Sequence, residues 1–161
     1  MIGNPIEYRR GDLFNDYDKS LKTILVHGCN AQGAMGSGVA RIFREMYPAA
    51  HDKYVNDIRS GLKLGGLSIY QQSDQLYLVS AITQDFYGRD SKRYVSYDAV
   101  NDVFLKVYGM ASYYGYQQIV FPKIGAGLGG GDWEILEKCI ISANHEAMVN
   151  PDNCKSICFV L

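Results

Sequence analysis

The stretch Val120-Phe-Pro-Lys-Ile-Gly-Ala-Gly-Leu-Gly-Gly-Gly-Asp-Trp133 decides the fold expected for this chain. The apolar residues that open it indicate the end of a buried strand, and Pro122 stops ladder pairing there. Five glycines follow within residues 125–131, which we call the C-terminal glycine loop, and they let backbone N–H groups approach a ligand. Asp132 is expected to cap a helix over 133–148. A strand, a glycine loop and a helix N-terminus in this order predict an anion site, most often for phosphate, although a plain flexible connector is the alternative.

A second loop of the same kind lies nearer the start of the chain. The near-continuous apolar run over 23–27 is typical of a central strand covered on both faces. Residues 28–38 then form the N-terminal glycine loop, and Val39 opens a helix. Neither loop carries the Gly-x-x-x-x-Gly-Lys-Ser/Thr pattern of a Walker A motif, and too little chain follows the C-terminal loop for a dinucleotide-binding unit.

Strands and helices alternate along the whole chain. The pattern predicts strands over 6–9, 23–27, 67–70, 76–81, 117–121 and 156–161, and helices over 39–47, 49–60, 94–113 and 133–148. This order predicts one α/β domain over residues 1–161, a three-layer α/β/α sandwich around a mixed, mainly parallel sheet. Both glycine loops follow strands and precede helices, so we expect them to meet at the C-terminal edge of the sheet.

Composition limits the classes of partner. The net charge of −1 over 161 residues argues against the basic face that nucleic acid binding usually requires, so we expect no stable nucleic acid binding. The chain shows neither a signal peptide pattern nor an apolar run long enough for a membrane span, which favours a cytoplasmic protein. Four cysteines without Cys-x-x-Cys spacing and three scattered histidines give no metal signature. We therefore expect no metal and no organic cofactor, and the small size of the chain without a heptad pattern favours a monomer.

Three motifs together resemble the macro domain family. They are Gly11-Asp12-Leu13, the segment from His27-Gly28-Cys29-Asn30 to Gly36-Ser37-Gly38-Val39-Ala40, and the segment from Pro122 to Gly130. The resemblance covers nearly the whole chain in the family's order. It is strongest to the stand-alone branch that contains yeast-type ADP-ribose 1''-phosphate phosphatases and hydrolases of glutamate-linked ADP-ribose. It implies ADP-ribose, or its 1''-phosphate, as the ligand.

The resemblance also implies a role for individual residues. Asp12 would accept a hydrogen bond from the adenine amino group, beside Gly11 and the backbone of Leu13, and Asn30 would contact the distal ribose. Taken alone, Asp12 is equally typical of a turn or a helix cap. The two phosphate loops would be formed by Gly36, Ser37, Gly38 and Val39, and by Ile124, Gly125, Ala126, Gly127, Leu128 and Gly129.

The two branches of the family use different catalytic residues, and this sequence matches only one of them. The hydrolase branch uses a lysine and an aspartate at the positions that hold Gln84 and Gly129 here, which weakens that assignment. The phosphatase branch has a histidine three residues before the asparagine, and His27 matches it. We therefore predict His27 as nucleophile or general acid-base, with Asn30, and Asp132 as a base that orients water. A core role for His27 and a capping role for Asp132 are the alternatives.

Three functions remain open at this point. The first is an enzyme that removes the 1''-phosphate from ADP-ribose 1''-phosphate without a metal. The second is a hydrolase that releases ADP-ribose from macromolecules or from O-acetyl-ADP-ribose. The third is a module that binds ADP-ribose without turnover.

Overall fold

A computed structural model describes residues 3–88, 90, 92–147 and 149–161. Met148, which ends the predicted fourth helix, lies outside the described residues. The elements in chain order are β1 Ile6–Arg10, β2 Thr23–Asn30, α1 Gly38–Met46, α2 Pro48–Arg59, β3 Leu67–Ser73, β4 Leu76–Gln84, α3 Tyr97–Tyr114, β5 Gln118–Phe121, α4 Trp133–Glu146 and β6 Lys155–Val160. Among the helices of these ranges, none is both long enough and apolar enough to cross a bilayer.

All six strands form one sheet in the order β1-β6-β5-β2-β4-β3. Every neighbouring pair is parallel except β3 and β4, which the short polar turn between them joins as an antiparallel hairpin. The predicted mixed, mainly parallel α/β sheet is confirmed.

Helices cover both faces of this sheet. Side chains alternate along β2, so that Ile24 and Val26 pack on the side of α3 and α4, whereas Leu25 and Cys29 pack on the side of α1 and α2. The two apolar clusters give the three layers that the alternating pattern predicted.

Two boundaries differ from the sequence prediction in ways that shape the site. β2 continues three residues past His27, because Gly28 and Cys29 still pair with β4 before the register shifts at Asn30. α3 begins at Tyr97 because the Ser96 hydroxyl accepts a hydrogen bond from the backbone N–H of Ala99 and so caps the helix. The first three residues of the N-terminal glycine loop therefore belong to a central strand.

Candidate functional site: a cleft between two glycine loops

The two glycine loops meet at the C-terminal ends of β2, β4 and β5, where they enclose a cleft of about 590 Å³. This volume lies in the ordinary range for a small-molecule site. The described residues that line the cleft are Gly28, Cys29, Asn30, Ala34, Gly36, Ser37, Gly38, Val39, Ala40, Thr83, Gln84, Tyr87, Gly88, Pro122, Lys123, Ile124, Gly125, Gly127, Leu128 and Gly129. The structure therefore confirms the prediction that the two glycine loops lie together at this edge of the sheet.

Asn30 ends β2 and organises the N-terminal glycine loop. Its Oδ1 accepts hydrogen bonds from the backbone N–H groups of Gln32 at 3.0 Å and Ala34 at 3.3 Å. Its Nδ2 donates to the carbonyl oxygen of Ala34 at 2.8 Å. The side chain is 8% exposed and borders the cleft. The Asn30 side chain therefore holds the backbone of this loop in place through three hydrogen bonds, and it also borders the cleft.

The N-terminus of α1 opens into the cleft without a side-chain cap. Ser37 occupies the N-cap position in an extended conformation, and its hydroxyl makes no capping hydrogen bond. Gly38, Val39 and Ala40, the first residues of the helix, all line the cleft. Because the first N–H groups of a helix lack intrahelical acceptors, this end of α1 offers donors and a partial positive charge to an anion.

The C-terminal glycine loop is held tightly from behind. The carbonyl oxygen of Gly129 accepts hydrogen bonds from the backbone N–H groups of Tyr94 at 2.7 Å and Val95 at 3.0 Å. Within the loop, the N–H of Gly131 donates to the carbonyl oxygen of Gly125 at 2.8 Å. Gly125 has a φ of 81°, which side chains disfavour. These contacts fix the backbone that forms the second wall of the cleft.

The charge of the cleft suits an anion. Among its described lining residues, none carries a carboxylate, and Lys123 is the one with a cationic side chain. The Lys123 ammonium lies 5.8 Å from the ring centroid of Trp133. The Trp133 indole in turn donates a hydrogen bond to the Tyr8 hydroxyl at 2.9 Å, which holds the start of α4 against β1.

His27 does not lie where its predicted catalytic role requires. Its ring is 1% exposed, stacks on Phe43 of α1 at 4.0 Å between ring centroids, and places Nε2 2.9 Å from the Ser80 hydroxyl. Burial lowers the pKa of His27 to about 3, so the imidazole is neutral at physiological pH. The ring is absent from the described lining of the cleft. This position contradicts the prediction of a nucleophile or acid-base and fits the alternative of a core histidine.

Asp132 is also separated from the cleft. Its Oδ1 accepts a hydrogen bond from the backbone N–H of Glu134 at 2.9 Å, and its own N–H donates to the Tyr97 hydroxyl at 3.0 Å. The residue caps α4 and is not part of the described cleft lining. The structure thus corrects the predicted water-orienting base to a helix cap.

The predicted adenine contacts lie outside the described cleft lining as well. The Asp12 carboxylate accepts hydrogen bonds from the backbone N–H of Phe14 at 2.9 Å and from Asn15 Nδ2 at 2.7 Å, which is the turn role given above as the alternative. Leu13 is buried in the core, and Gly11 donates its N–H to the carbonyl oxygen of Val160. Adenine recognition by this segment stays a prediction.

Most of the predicted loop residues do border the cleft. Ala126 alone among the predicted residues of the two loops is absent from the described lining. Those present are Asn30, Gly36, Ser37, Gly38, Val39, Ile124, Gly125, Gly127, Leu128 and Gly129.

The end of β4 lines the cleft as well, although none of its residues was among the predicted site residues. Thr83 and Gln84 at its end, and Tyr87 and Gly88 after it, form part of the cleft wall. The signal was available, because β4 was predicted and a parallel strand beside β2 ends at the same edge of the sheet. Over the described residues, no group of three or more His, Cys, Asp and Glu side chains is placed to hold a metal ion.

Comparison with known proteins identifies the family. The model of the family described as Macro domain matches residues 26–140, and this chain belongs to the macro domain family. The ADP-ribose 1''-phosphate phosphatase of Candida albicans is 31% identical over 143 residues, covering 84% of this chain and 91% of the relative. That of Meyerozyma guilliermondii is 26% identical and covers 90% of this chain and 96% of the relative.

Solved structures share the fold. The macrodomain of Mycobacterium tuberculosis DarG superposes with a TM-score of 0.79 at 21% identity, covering 99% of both chains. Thermosipho africanus DarTG, solved in complex with ADP-ribose, gives a TM-score of 0.76 at 18% identity over 97% of this chain and 42% of that one. The resemblance expected from the three sequence motifs is confirmed.

Proposed function

We propose that this chain binds ADP-ribose and hydrolyses ADP-ribose 1''-phosphate to ADP-ribose and inorganic phosphate. The observation that carries the proposal is the uncapped N-terminus of α1, which opens into a cleft whose described lining holds no carboxylate. The substrate carries a diphosphate and a terminal phosphomonoester, so donors without competing negative charge are what it requires. The curated relatives from Candida albicans and Meyerozyma guilliermondii support this choice of substrate.

The two loops suit the two halves of this ligand. The N-terminal loop presents the first N–H groups of α1, and the C-terminal loop presents the backbone around Gly125 and Gly127. Backbone donors are fixed before the ligand arrives, so they stabilise charge without reorganisation. A diphosphate held between the loops places the distal ribose near Asn30 and the ends of β2 and β4.

The hydrolysis needs charge stabilisation more than covalent chemistry. A water oxygen attacks phosphorus, and the bond from phosphorus to the anomeric oxygen breaks. The two protons of the water end on the released anomeric hydroxyl and on inorganic phosphate. The polar side chains of the lining that can orient the water and the phosphoryl oxygens are those of Asn30, Ser37, Thr83, Gln84, Tyr87 and Lys123. We assign no role in this reaction to His27 or Asp132, because neither is among the described residues that line the cleft.

We further propose a cytoplasmic monomer that acts on a small molecule and forms no stable complex with nucleic acid. The net charge of −1 supports the last point, because phosphate backbones are gripped by clustered basic residues.

A turnover assay with three substrates tests the proposal. Purified protein is incubated in parallel with ADP-ribose 1''-phosphate, an ADP-ribosylated protein and O-acetyl-ADP-ribose, and phosphate, free ADP-ribose and acetate are measured. Phosphate release from the first substrate, lost in Asn30→Ala, is the expected result. Release of ADP-ribose from either of the other two alone assigns the hydrolase function instead. Binding of ADP-ribose by calorimetry with no turnover assigns a binding module.

A further inference from the structure

We infer that Tyr54, a core residue of α2 outside the cleft, is a positioning residue that fixes Asn30 as a hydrogen-bond donor toward the ligand. The inference rests on the proposed function for the nature of the ligand, while the geometry at Asn30 supports it independently.

The Tyr54 hydroxyl reaches the end of β2 from the neighbouring layer. Its oxygen lies 2.5 Å from the carbonyl oxygen of Asn30 and 3.2 Å from Asn30 Oδ1. The ring is completely buried in the cluster between the sheet and the α1 and α2 helices. Burial raises the pKa of the Tyr54 hydroxyl, so the group keeps its one proton and donates it mainly to the nearer acceptor, the Asn30 carbonyl oxygen.

These contacts leave the Asn30 oxygen no capacity for a ligand. Oδ1 already faces the N–H groups of Gln32 and Ala34 in addition to the Tyr54 hydroxyl. Nδ2 uses one hydrogen on the carbonyl oxygen of Ala34. Two backbone donors on one side and a backbone carbonyl on the other also fix which amide atom is oxygen. The second hydrogen of Nδ2 is the group that remains for the cleft, so Asn30 recognises an acceptor such as a ribose or phosphoryl oxygen.

The buried, hydrogen-bonded hydroxyl of Tyr54 is suited to holding Asn30 in position. Tyr54 does not border the cleft, so its removal deletes no ligand contact. It instead frees the β2 end and the loop that Asn30 folds. A well-placed polar group loses much of its effect on binding when the residues that hold it are removed.

The chain offers a matched control for this test. Tyr108 of α3 is equally buried, and its hydroxyl lies 2.8 Å from the Ser156 hydroxyl in the cluster on the other face of the sheet. Tyr54→Phe and Tyr108→Phe each delete one bonded hydroxyl from the core. Both variants should lower Tm by a similar amount, on the order of a few degrees.

The experiment measures two quantities in the wild type and both variants. The first is the hydrogen exchange rate of the Gln32 amide, which donates to Asn30 Oδ1 and needs no ligand. We expect Tyr54→Phe to accelerate this exchange about tenfold, and Tyr108→Phe to leave it at the wild-type rate. The second is the Kd for ADP-ribose, which we expect to rise about fivefold in Tyr54→Phe alone, the value of one hydrogen bond.

A double-mutant cycle completes the test. In an Asn30→Ala background, Tyr54→Phe should raise the Kd less than it does in the wild type, because the part of its effect that passes through the Asn30 side chain is already lost. Unchanged exchange at Gln32 in Tyr54→Phe, or fully additive effects on the Kd, overturns the inference. A wild-type protein that fails to bind ADP-ribose overturns the proposed function, and the exchange rates still decide the role of Tyr54.

Discussion

A methyl group added at Gly36 or Gly38 of the N-terminal glycine loop meets no atom within 4 Å, whereas one added at Gly129 of the C-terminal loop lies 2.7 Å from the carbonyl oxygen of Gly125. The loops also differ in the helices that follow them. Asp132 caps α4 with its carboxylate, while Ser37 leaves the start of α1 without a side-chain cap. The C-terminal loop thus needs glycine at position 129 for its packing, whereas Gly36 leaves open space in the N-terminal loop and position 38 needs glycine only for its φ of 63°.

The largest effect expected from this difference concerns stability. Gly125→Ala forces a side chain onto a φ of 81° and against Val95 Cγ2 at 2.6 Å, so it should lower the free energy of unfolding by about 2–3 kcal/mol. Gly36→Ala should stay within about 0.5 kcal/mol of the wild type. Urea denaturation of both variants measures the contrast, and equal losses would remove the distinction between the loops.

A charge placed at the open helix N-terminus should affect binding next most strongly. Ser37→Asp adds a carboxylate to a lining without one, and we expect the Kd for ADP-ribose to rise about a hundredfold through repulsion of its phosphates. Stability should not fall, because Asp is a good N-cap. Ser37→Ala is the control, since the hydroxyl makes no capping bond whose loss would destabilise α1. Calorimetric titration decides the matter: full affinity in Ser37→Asp places the phosphates elsewhere.

The buried His27, which packs on α1 behind the N-terminal glycine loop, should make the free energy of unfolding depend on pH. The folded-state pKa of His27 is lowered to about 3 from 6.5, so the unfolded chain binds the additional proton between these values. The stability contributed by neutral His27 is complete above about pH 6.5 and declines by about 1.4 kcal/mol per pH unit as the pH falls below it.

His27→Gln tests this assignment, because glutamine keeps a partner for Ser80 and does not titrate. Urea denaturation between pH 4 and 7, a range of about three units below and around the ordinary histidine pKa, should show a shallower pH dependence in the variant. The same slope in both proteins would mean that His27 is accessible to protons in the folded state.

The smallest effect is expected at the capped helix. Asp132→Ala removes the bond to the Glu134 N–H and should cost about 1 kcal/mol of stability. Phosphate release and the Kd for ADP-ribose should not change, because Asp132 is outside the described cleft lining. A large loss of turnover with unchanged stability would restore Asp132 to the chemistry.

The sequence was sufficient for the architecture because its signals are local. Apolar runs, glycine loops and Pro48 at the start of α2 mark the elements, and the rule for parallel strands brings both loops to one edge. It was insufficient for His27 because β2 is covered on both faces, so Ile24, Leu25 and Val26 form a continuous apolar run and no period of two shows which face a side chain joins.

Tyr54 and Asp132 illustrate two further limits. The contact between Tyr54 and Asn30 joins residues 24 positions apart across two layers, and nothing local distinguishes Tyr54 among thirteen tyrosines. Asp132 follows the glycine pattern in sequence, yet a carboxylate that caps a helix occupies the very donors that an anion would use. Asp132 thus marks the start of α4 in the sequence, and its carboxylate also occupies an N–H group that would otherwise be available to an anion.

The position of Trp133 gives the protein an intrinsic optical reporter. It is the one tryptophan of the sequence, it follows the C-terminal loop directly, and its indole contacts Tyr8 and Lys123. Emission excited at the red edge of indole absorption therefore originates beside one wall of the cleft and from nowhere else in the chain. Quenching of that fluorescence during a titration therefore reports ligand binding at the wall formed by the C-terminal glycine loop and does not report on the N-terminal glycine loop.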